Sequence, residues 1–252
     1  MKILVLGGTG DAVTLANALA DKGHSVTTAL AGRTKNPARP KGKLITGGFG
    51  GTDGLAEYLK AKRIDYLIDA THPFAVEMSA NAVAAATKTG VPLVRLSGPV
   101  FVEHTGANWW RVKDAEQAAA RIPSGATAFL TLGRQTLGPF TKRPDVHFLV
   151  RSIEKPDIEL PKNFKTIQAR PPFSRADELA LMKREGITHL VAKDSGSAQT
   201  REKLEAAFML RIQVIMIERP QLEPCNEVSS VAEVEEIVAQ LPPPRRRFFF
   251  FP

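Results

Sequence analysis

Short, uninterrupted apolar runs alternate along this chain with longer segments in which apolar residues recur every three or four positions. The runs lie near Lys2–Leu6, Ser25–Leu30, Lys43–Thr46, Tyr66–Asp69 and Leu93–Leu96, and again near 126–132, 146–150, 164–168, 188–192 and 213–217. Runs this short with little polar alternation read as strands covered on both faces, the condition of parallel sheets. Between them, "DAVTLANALADKG" sets Val13, Leu15, Ala16 and Leu19 on one helical face and stops at Gly23, a residue type that ends helices readily. "TDGLAEYLKAK" and "AVEMSANAVAAATKTG" behave alike, and further helices are expected at 114–121, 175–185, 200–210 and 231–241.

Strand and helix in regular alternation predict an α/β protein: two Rossmann-like doubly wound domains with mainly parallel sheets and an inter-domain cleft. Five strands are complete by Pro99, and the stretch Gly98–Asn108 has no periodicity. Residues 1–103 are therefore expected to form a dinucleotide-binding domain and residues 104–241 a second α/β domain contributing the substrate site. Residues 242–252, "PPPRRRFFFFP", resemble nothing before them and read as an expression scar or a frameshifted end outside the fold.

Composition narrows the function. With 252 residues, 43% of them hydrophobic, the chain has enough apolar material for two cores. A single cysteine, Cys225, excludes an internal disulfide framework and a cysteine-rich zinc site, and points to the reducing cytoplasm. No apolar run approaches the length of a membrane span, so no membrane partner is expected. The formal charge is +8, but three of those charges are Arg245, Arg246 and Arg247 of the tail, leaving +5 for the rest. The remaining bases could attract nucleic acid, but they are scattered, with no reader motif and no interleaved aromatics, and an acidic small molecule fits equally well. No long valine-rich edge marks an obligate interface, so a monomer is expected.

The most informative turn joins the first strand to the first helix. Gly7, Gly8, Thr9 and Gly10 stand where glycines let backbone approach a pyrophosphate and the helix N-terminus offers its N–H groups. From Gly8 the pattern reads G-x-G-x-x-V, with Val13 at the third glycine position; a tight turn without a ligand is the alternative. The second strand ends in Ala31, Gly32, Arg33 and Thr34, where NAD enzymes commonly carry an acid for the ribose hydroxyls. A base in place of the acid matches a 2′-phosphate, so NADPH is the expected cofactor, the competing reading being a solvated Arg33. "GGFGG" brings Gly48, Phe49 and Gly50 to the same edge, with Phe49 a candidate lid. "DATHPFA" brings Ala70, Thr71 and His72, whose other reading is helix capping. His72 is the one candidate catalytic residue, as a proton donor. The five histidines show no paired metal spacing, no G-x-S-x-G elbow supports a serine triad, and the Tyr58/Lys62 pair lies on the wrong helix for a short-chain dehydrogenase.

In the second half five apolar runs end in a base: Arg134, Arg151, Arg170, Lys193 and Arg219. The carboxyl ends of parallel strands are where open α/β sheets take ligands, so this row suits a polyanion, solvated loop charges being the plainer reading. Ser195, Gly196 and Ser197 precede a helix as a second anion nest, and Phe173 sets an aromatic face beside Arg170. Such a set suggests a large, flat, carboxylate-rich molecule, a charge pattern that phosphate would satisfy as well.

At these residues the chain resembles a known family. "LGGTGDAVTLA", "AGRT", "GGFGG", "DATHPFA", "LTLGRQ", "KDSGS" and "VIMIERP" stand in the order and spacing of the precorrin-6A reductases of cobalamin biosynthesis, over residues 1 to about 240. The resemblance implies NADPH-dependent reduction of one carbon–carbon double bond in a polycarboxylate tetrapyrrole, precorrin-6A, to give precorrin-6B. It implies a dinucleotide site at Gly7–Gly10, Ala31–Thr34, Gly48–Gly50 and Ala70–His72. The macrocycle site it implies comprises Arg134, Gln135, Arg170, Lys193, Ser195 and Ser197. The rival classes are a non-catalytic NADPH sensor, which would bind dinucleotide without consuming it, and a nucleic-acid binder with strongly salt-dependent affinity.

Overall fold

A computed structural model of the chain describes residues 1–32, 38–197 and 200–241. They fall into two compact units, one formed by Met1–Gly98 with the chain from Gln221 onward, the other by Pro99–Pro220.

In the first unit, β1 (Lys2–Leu6), β2 (Ser25–Leu30), β3 (Lys43–Thr46), β4 (Tyr66–Asp69), β5 (Leu93–Leu96) and β12 (Asn226–Val228) form a parallel sheet in the order β12-β5-β4-β1-β2-β3. Successive residues of a strand face opposite sides, and in β1 both sides are apolar and buried. Ile3 and Val5 meet Leu15 and Leu19 of α1 (Gly10–Asp21) and Val234 and Val238 of α7 (Val231–Gln240). Leu4 and Leu6 meet Leu55 and Leu59 of α2 (Gly51–Lys62) and Ala82 and Ala85 of α3 (Val76–Thr89). The buried face of α1 begins at Ala12; Val13, expected on that face, is only partly buried.

The second unit repeats the plan. Its strands β6 (Trp109–Val112), β7 (Thr127–Leu130), β8 (His147–Ser152), β9 (Phe164–Gln168), β10 (His189–Lys193) and β11 (Gln213–Ile217) run parallel in the order β6-β11-β10-β7-β8-β9. On one face Phe129, Leu149, Leu190 and Val214 pack with Met182 of α5 (Arg175–Arg184) and Leu204 and Ala207 of α6 (Glu202–Met209). The other face is covered by α4 (Ala115–Arg121) and a 3₁₀ turn whose Phe140 meets Phe148 edge-on at 5.8 Å.

Two expectations are corrected. The chain from Gln221 to Leu241, expected in the second domain, belongs to the first: β12 pairs with β5, and Val234 and Val238 are buried beside α1. The helical period of 231–241 announces an apolar face but not which sheet it covers. Conversely, Pro99–Glu103, expected in the first domain, belongs to the second, where Phe101 is buried and its N–H donates to Asp194 Oδ1. The strands β6 and β12 were not expected; both are short and sit at sheet edges, where the apolar run is weakest.

Candidate functional site

Each strand order reverses once, and open α/β sheets bind ligands beyond the carboxyl ends of the strands that flank such a reversal. In the first unit the reversal lies between β1 and β4, in the second between β7 and β10.

In the first unit Gly7 N–H still donates to Ala29 O (2.9 Å), so the strand carries one residue past β1. Gly8 turns at φ 123, in the region that favours glycine, and Thr9 caps α1, its Oγ1 accepting from Ala12 N–H at 3.1 Å. The same hydroxyl donates to Ala70 O at 3.0 Å, tying the turn after β1 to the loop after β4 across the reversal. Thr9 is therefore a cap and a strut, and the surface it leaves for a ligand is the backbone of Gly8 and the first turn of α1. Burial pushes the carboxyl of Asp11, in that first turn, upward.

The wall beside it comes from β2 and β3. Ala31 and Gly32 are exposed, with Gly32 at φ 74 and close to Gly47 N, which donates to Leu30 O. Arg33 and Thr34 lie outside the described residues. Gly48 and Gly50 are exposed, but Phe49, the candidate lid, is half-buried edge-on against Tyr58 at 5.1 Å and packs on the core under α2. Gly54 is required here, because a Cβ would overlap Phe49 O.

The loop after β4 rests on a buried ion pair set among apolar strand residues. Asp69 and Arg95 are register partners on β4 and β5, 1% and 4% exposed, with Arg95 Nε 3.3 Å from Asp69 Oδ2. Asp69 Oδ2 also accepts from Ser79 Oγ (2.6 Å), and Oδ1 accepts from Thr71 N–H (3.2 Å) and Thr71 Oγ1 (2.7 Å). Arg95 continues to Glu227 Oε2 (3.3 Å) and Glu223 O (3.1 Å), so the returning C-terminal segment is fastened to the Thr71–His72 loop through one carboxylate. The signal was present: an acid ending "YLID" and a base inside "LVRL". His72 is half-buried, and its Nδ1 accepts from Phe74 N–H at 3.3 Å, which leaves the proton of a neutral ring on Nε2.

In the second unit the five expected cations do stand at or just beyond the carboxyl ends of β7 to β11, which are neighbours in the sheet. Their engagements differ. Arg134, in the 3₁₀ turn after Gly133 and followed by Gln135, reaches Asp157 Oδ1 at 2.7 Å and lies 3.6 Å from Glu154 Oε2. Lys193 donates to Thr136 Oγ1 at 2.9 Å, spanning this reversal as Thr9 spans the other. Ser195 Oγ lies 3.0 Å from Thr200 Oγ1, Gly196 has φ 67, and Ser197 O accepts from Thr200 N–H. Arg170 is exposed. Arg219 donates to Asp194 O (2.9 Å) and Pro99 O (3.1 Å), fastening the first residues of its own unit.

Arg151 lies inside β8, buried, in a two-pronged pair with Glu178 (2.7 and 3.0 Å), with the Phe173 ring 3.7 Å above its guanidinium. It supports Phe173 from beneath and is not one of an open row of bases. Lys203 of α6, which sequence alone gives no reason to bury, lies against this pair. Among the described residues no cluster of metal-ligating side chains occurs, and no helix is long and apolar enough to cross a membrane.

Two parallel sheets, each with its strand order reversed once and helices on both faces, define a doubly wound α/β protein of the Rossmann-like type. The model of the precorrin-6x reductase CbiJ/CobK family matches residues 2–241, and the chain belongs to that family. It is 46% identical over 228 residues to a precorrin-6A reductase of Rhodococcus erythropolis, covering 90% of this chain and 92% of that one. A cobalt-precorrin-6A reductase of Priestia megaterium is 33% identical over 250 residues, covering 92% and 96%. The solved structure of a CobK precorrin-6A reductase superposes with a TM-score of 0.92 at 39% identity, over 95% of this chain and 96% of that one.

Proposed function

We propose that the protein reduces one carbon–carbon double bond of precorrin-6A, using NADPH, to give precorrin-6B. The observation that carries the reading is the strand-order reversal of the first unit, where the Gly8 turn and the α1 N-terminus stand beside the Ala70–His72 loop. These residues fit a dinucleotide: a Cβ added at Gly8, Gly47 or Gly50 would meet nothing within 4 Å, so the backbone stands open to close approach. Bound there, NADPH would supply the hydride.

The chain's own contribution is to hold the reactants and exclude alternatives. Gly8 and the first turn of α1 receive the pyrophosphate, and Arg33 and Thr34 receive the 2′-phosphate. The Asp69–Thr71 contacts fix the loop that presents His72, the residue placed to pass on the proton that completes the reduction. In the second unit Arg134, Gln135, Arg170, Lys193 and the Ser195–Ser197 turn face the substrate's carboxylates, with the Phe173 ring as a flat support. The higher identity to a precorrin-6A reductase than to a cobalt-precorrin-6A reductase favours the metal-free macrocycle. A single cysteine suits work in the reducing cytoplasm.

Titration with both dinucleotides tests the cofactor. NADPH is expected to bind at least about tenfold tighter than NADH, and Arg33→Ala to erase most of that difference, since the charge-assisted fork to a phosphate is lost. Equal affinities, or an Arg33→Ala variant that still prefers NADPH, would remove the assignment.

A further inference from the structure

The second unit holds one buried lysine beside an ion pair that is already closed on itself. Lys203 stands in the first turn of α6, is 5% exposed, and makes no hydrogen bond or ion pair with any described residue. The charged groups facing it are Arg151 from β8 and Glu178 from α5, while Glu202 and Glu205 of its own helix are engaged with Arg175 and His104. Both Glu178 oxygens are taken by Arg151, at 2.7 and 3.0 Å. The cluster therefore holds two cations and one carboxylate, a surplus of one positive charge with little access to water. An unpaired buried charge is costly, and a site that only needed filling would be served by methionine or leucine. The cluster lies beneath Phe173, whose ring stacks on Arg151 and belongs to the turn that carries Arg170 beyond β9.

We propose that Lys203 is an anion subsite that receives a carboxylate of the macrocycle, with Arg151 and Glu178 holding the neighbouring Phe173 ring in place. The inference rests on the reductase reading and adds a substrate contact to it. The surplus charge is completed only when an oxyanion arrives, so the group favours acidic substrates over neutral ones. Lowering of the ammonium to about 8, by burial first and by Arg151 second, against the opposing pull of Glu178, is consistent with a charge that lacks its counterion. A carboxylate of the substrate and a phosphate of the dinucleotide share this chemistry, and the test separates them.

Lys203→Met and Lys203→Gln are compared with the wild-type chain in steady-state turnover of precorrin-6A with NADPH, in direct NADPH titration, and in thermal melts with and without precorrin-6A. Expected for both variants is a KM for precorrin-6A raised by about tenfold or more, with kcat changed less and NADPH affinity unchanged. A melting temperature of the free Lys203→Met protein at or above wild type is also expected, because an unpaired buried charge is gone. An unchanged KM in either folded variant overturns the proposal. So does weakened NADPH binding with an unchanged KM, which would move the anion to the dinucleotide. A lower melting temperature with unchanged substrate binding would make Lys203 structural and likewise overturn it. Failure of the wild-type chain itself to turn over precorrin-6A would instead refute the reductase reading.

Discussion

Replacing Arg95 by methionine isolates the buried pair that joins the C-terminal segment to the Thr71–His72 loop. The substitution keeps the aliphatic stem and removes the guanidinium, so three contacts go: Asp69 Oδ2, Glu227 Oε2 and Glu223 O. Asp69 stays 1% exposed in the parent fold, with Thr71 N–H, Thr71 Oγ1 and Ser79 Oγ still donating. Breaking a buried pair from one side costs roughly 3–5 kcal/mol, and three surviving donors place this case near the lower end, about 3 kcal/mol. For a chain of this size that is a fall in melting temperature of roughly 10 °C. The assay is urea denaturation of Arg95→Met, Asp69→Asn and the double variant, with dinucleotide titration of each. The double variant should cost less than the two singles together by at least about 1 kcal/mol, as expected for directly coupled groups. Arg95→Met should also weaken dinucleotide binding, because Asp69 fixes Thr71. Additive losses, or an Arg95→Met loss within about 0.5 kcal/mol of zero, would show that the pair holds neither the segment nor the loop.

Gly54→Ala should destabilise by about 1–3 kcal/mol, because its methyl group overlaps Phe49 O, and urea melts read the loss. The Lys203 ammonium is held near pKa 8 when folded, against 10.5 for the ordinary side chain, so the unfolded chain binds more protons between those values. Stability should therefore rise from about pH 8 to 10.5 by about 3 kcal/mol on this account alone, and Lys203→Met should lack that component; parallel pH profiles for the two proteins would refute it. His72→Ala should lower single-turnover reduction by about a hundredfold at saturating NADPH if Nε2–H supplies the proton. Near-normal turnover would leave His72 a residue that only positions its loop.

Much of the architecture was legible because parallel strands buried on both faces announce themselves as unbroken apolar runs, and "KILVL" through "VIMIE" mark ten of the twelve. Two of the four edge strands were not legible: "WWRV" and "NEV" are only four and three residues long, as edges tend to be short. The return of β12 and α7 to the first unit is a tertiary choice that periodicity does not encode. At the site, Gly8, Thr9, Lys193 and Ser195 were found because strand-to-helix turns at sheet reversals are fixed by topology. Arg151 was read as one of a row because its position is right; only the structure reveals Glu178 opposite it and Phe173 above it. Lys203 was invisible, since a lysine in the first turn of a charged helix looks solvated until its burial is known.

The reductase assignment is tested most directly by mixing the purified chain with NADPH and precorrin-6A and following the dinucleotide's near-ultraviolet band and the macrocycle's visible spectrum together. One NADPH should disappear for each macrocycle converted, with both spectra changing at one rate and neither changing when either reactant is omitted. Dinucleotide that binds and is not consumed, with the pigment spectrum unaltered, would contradict it.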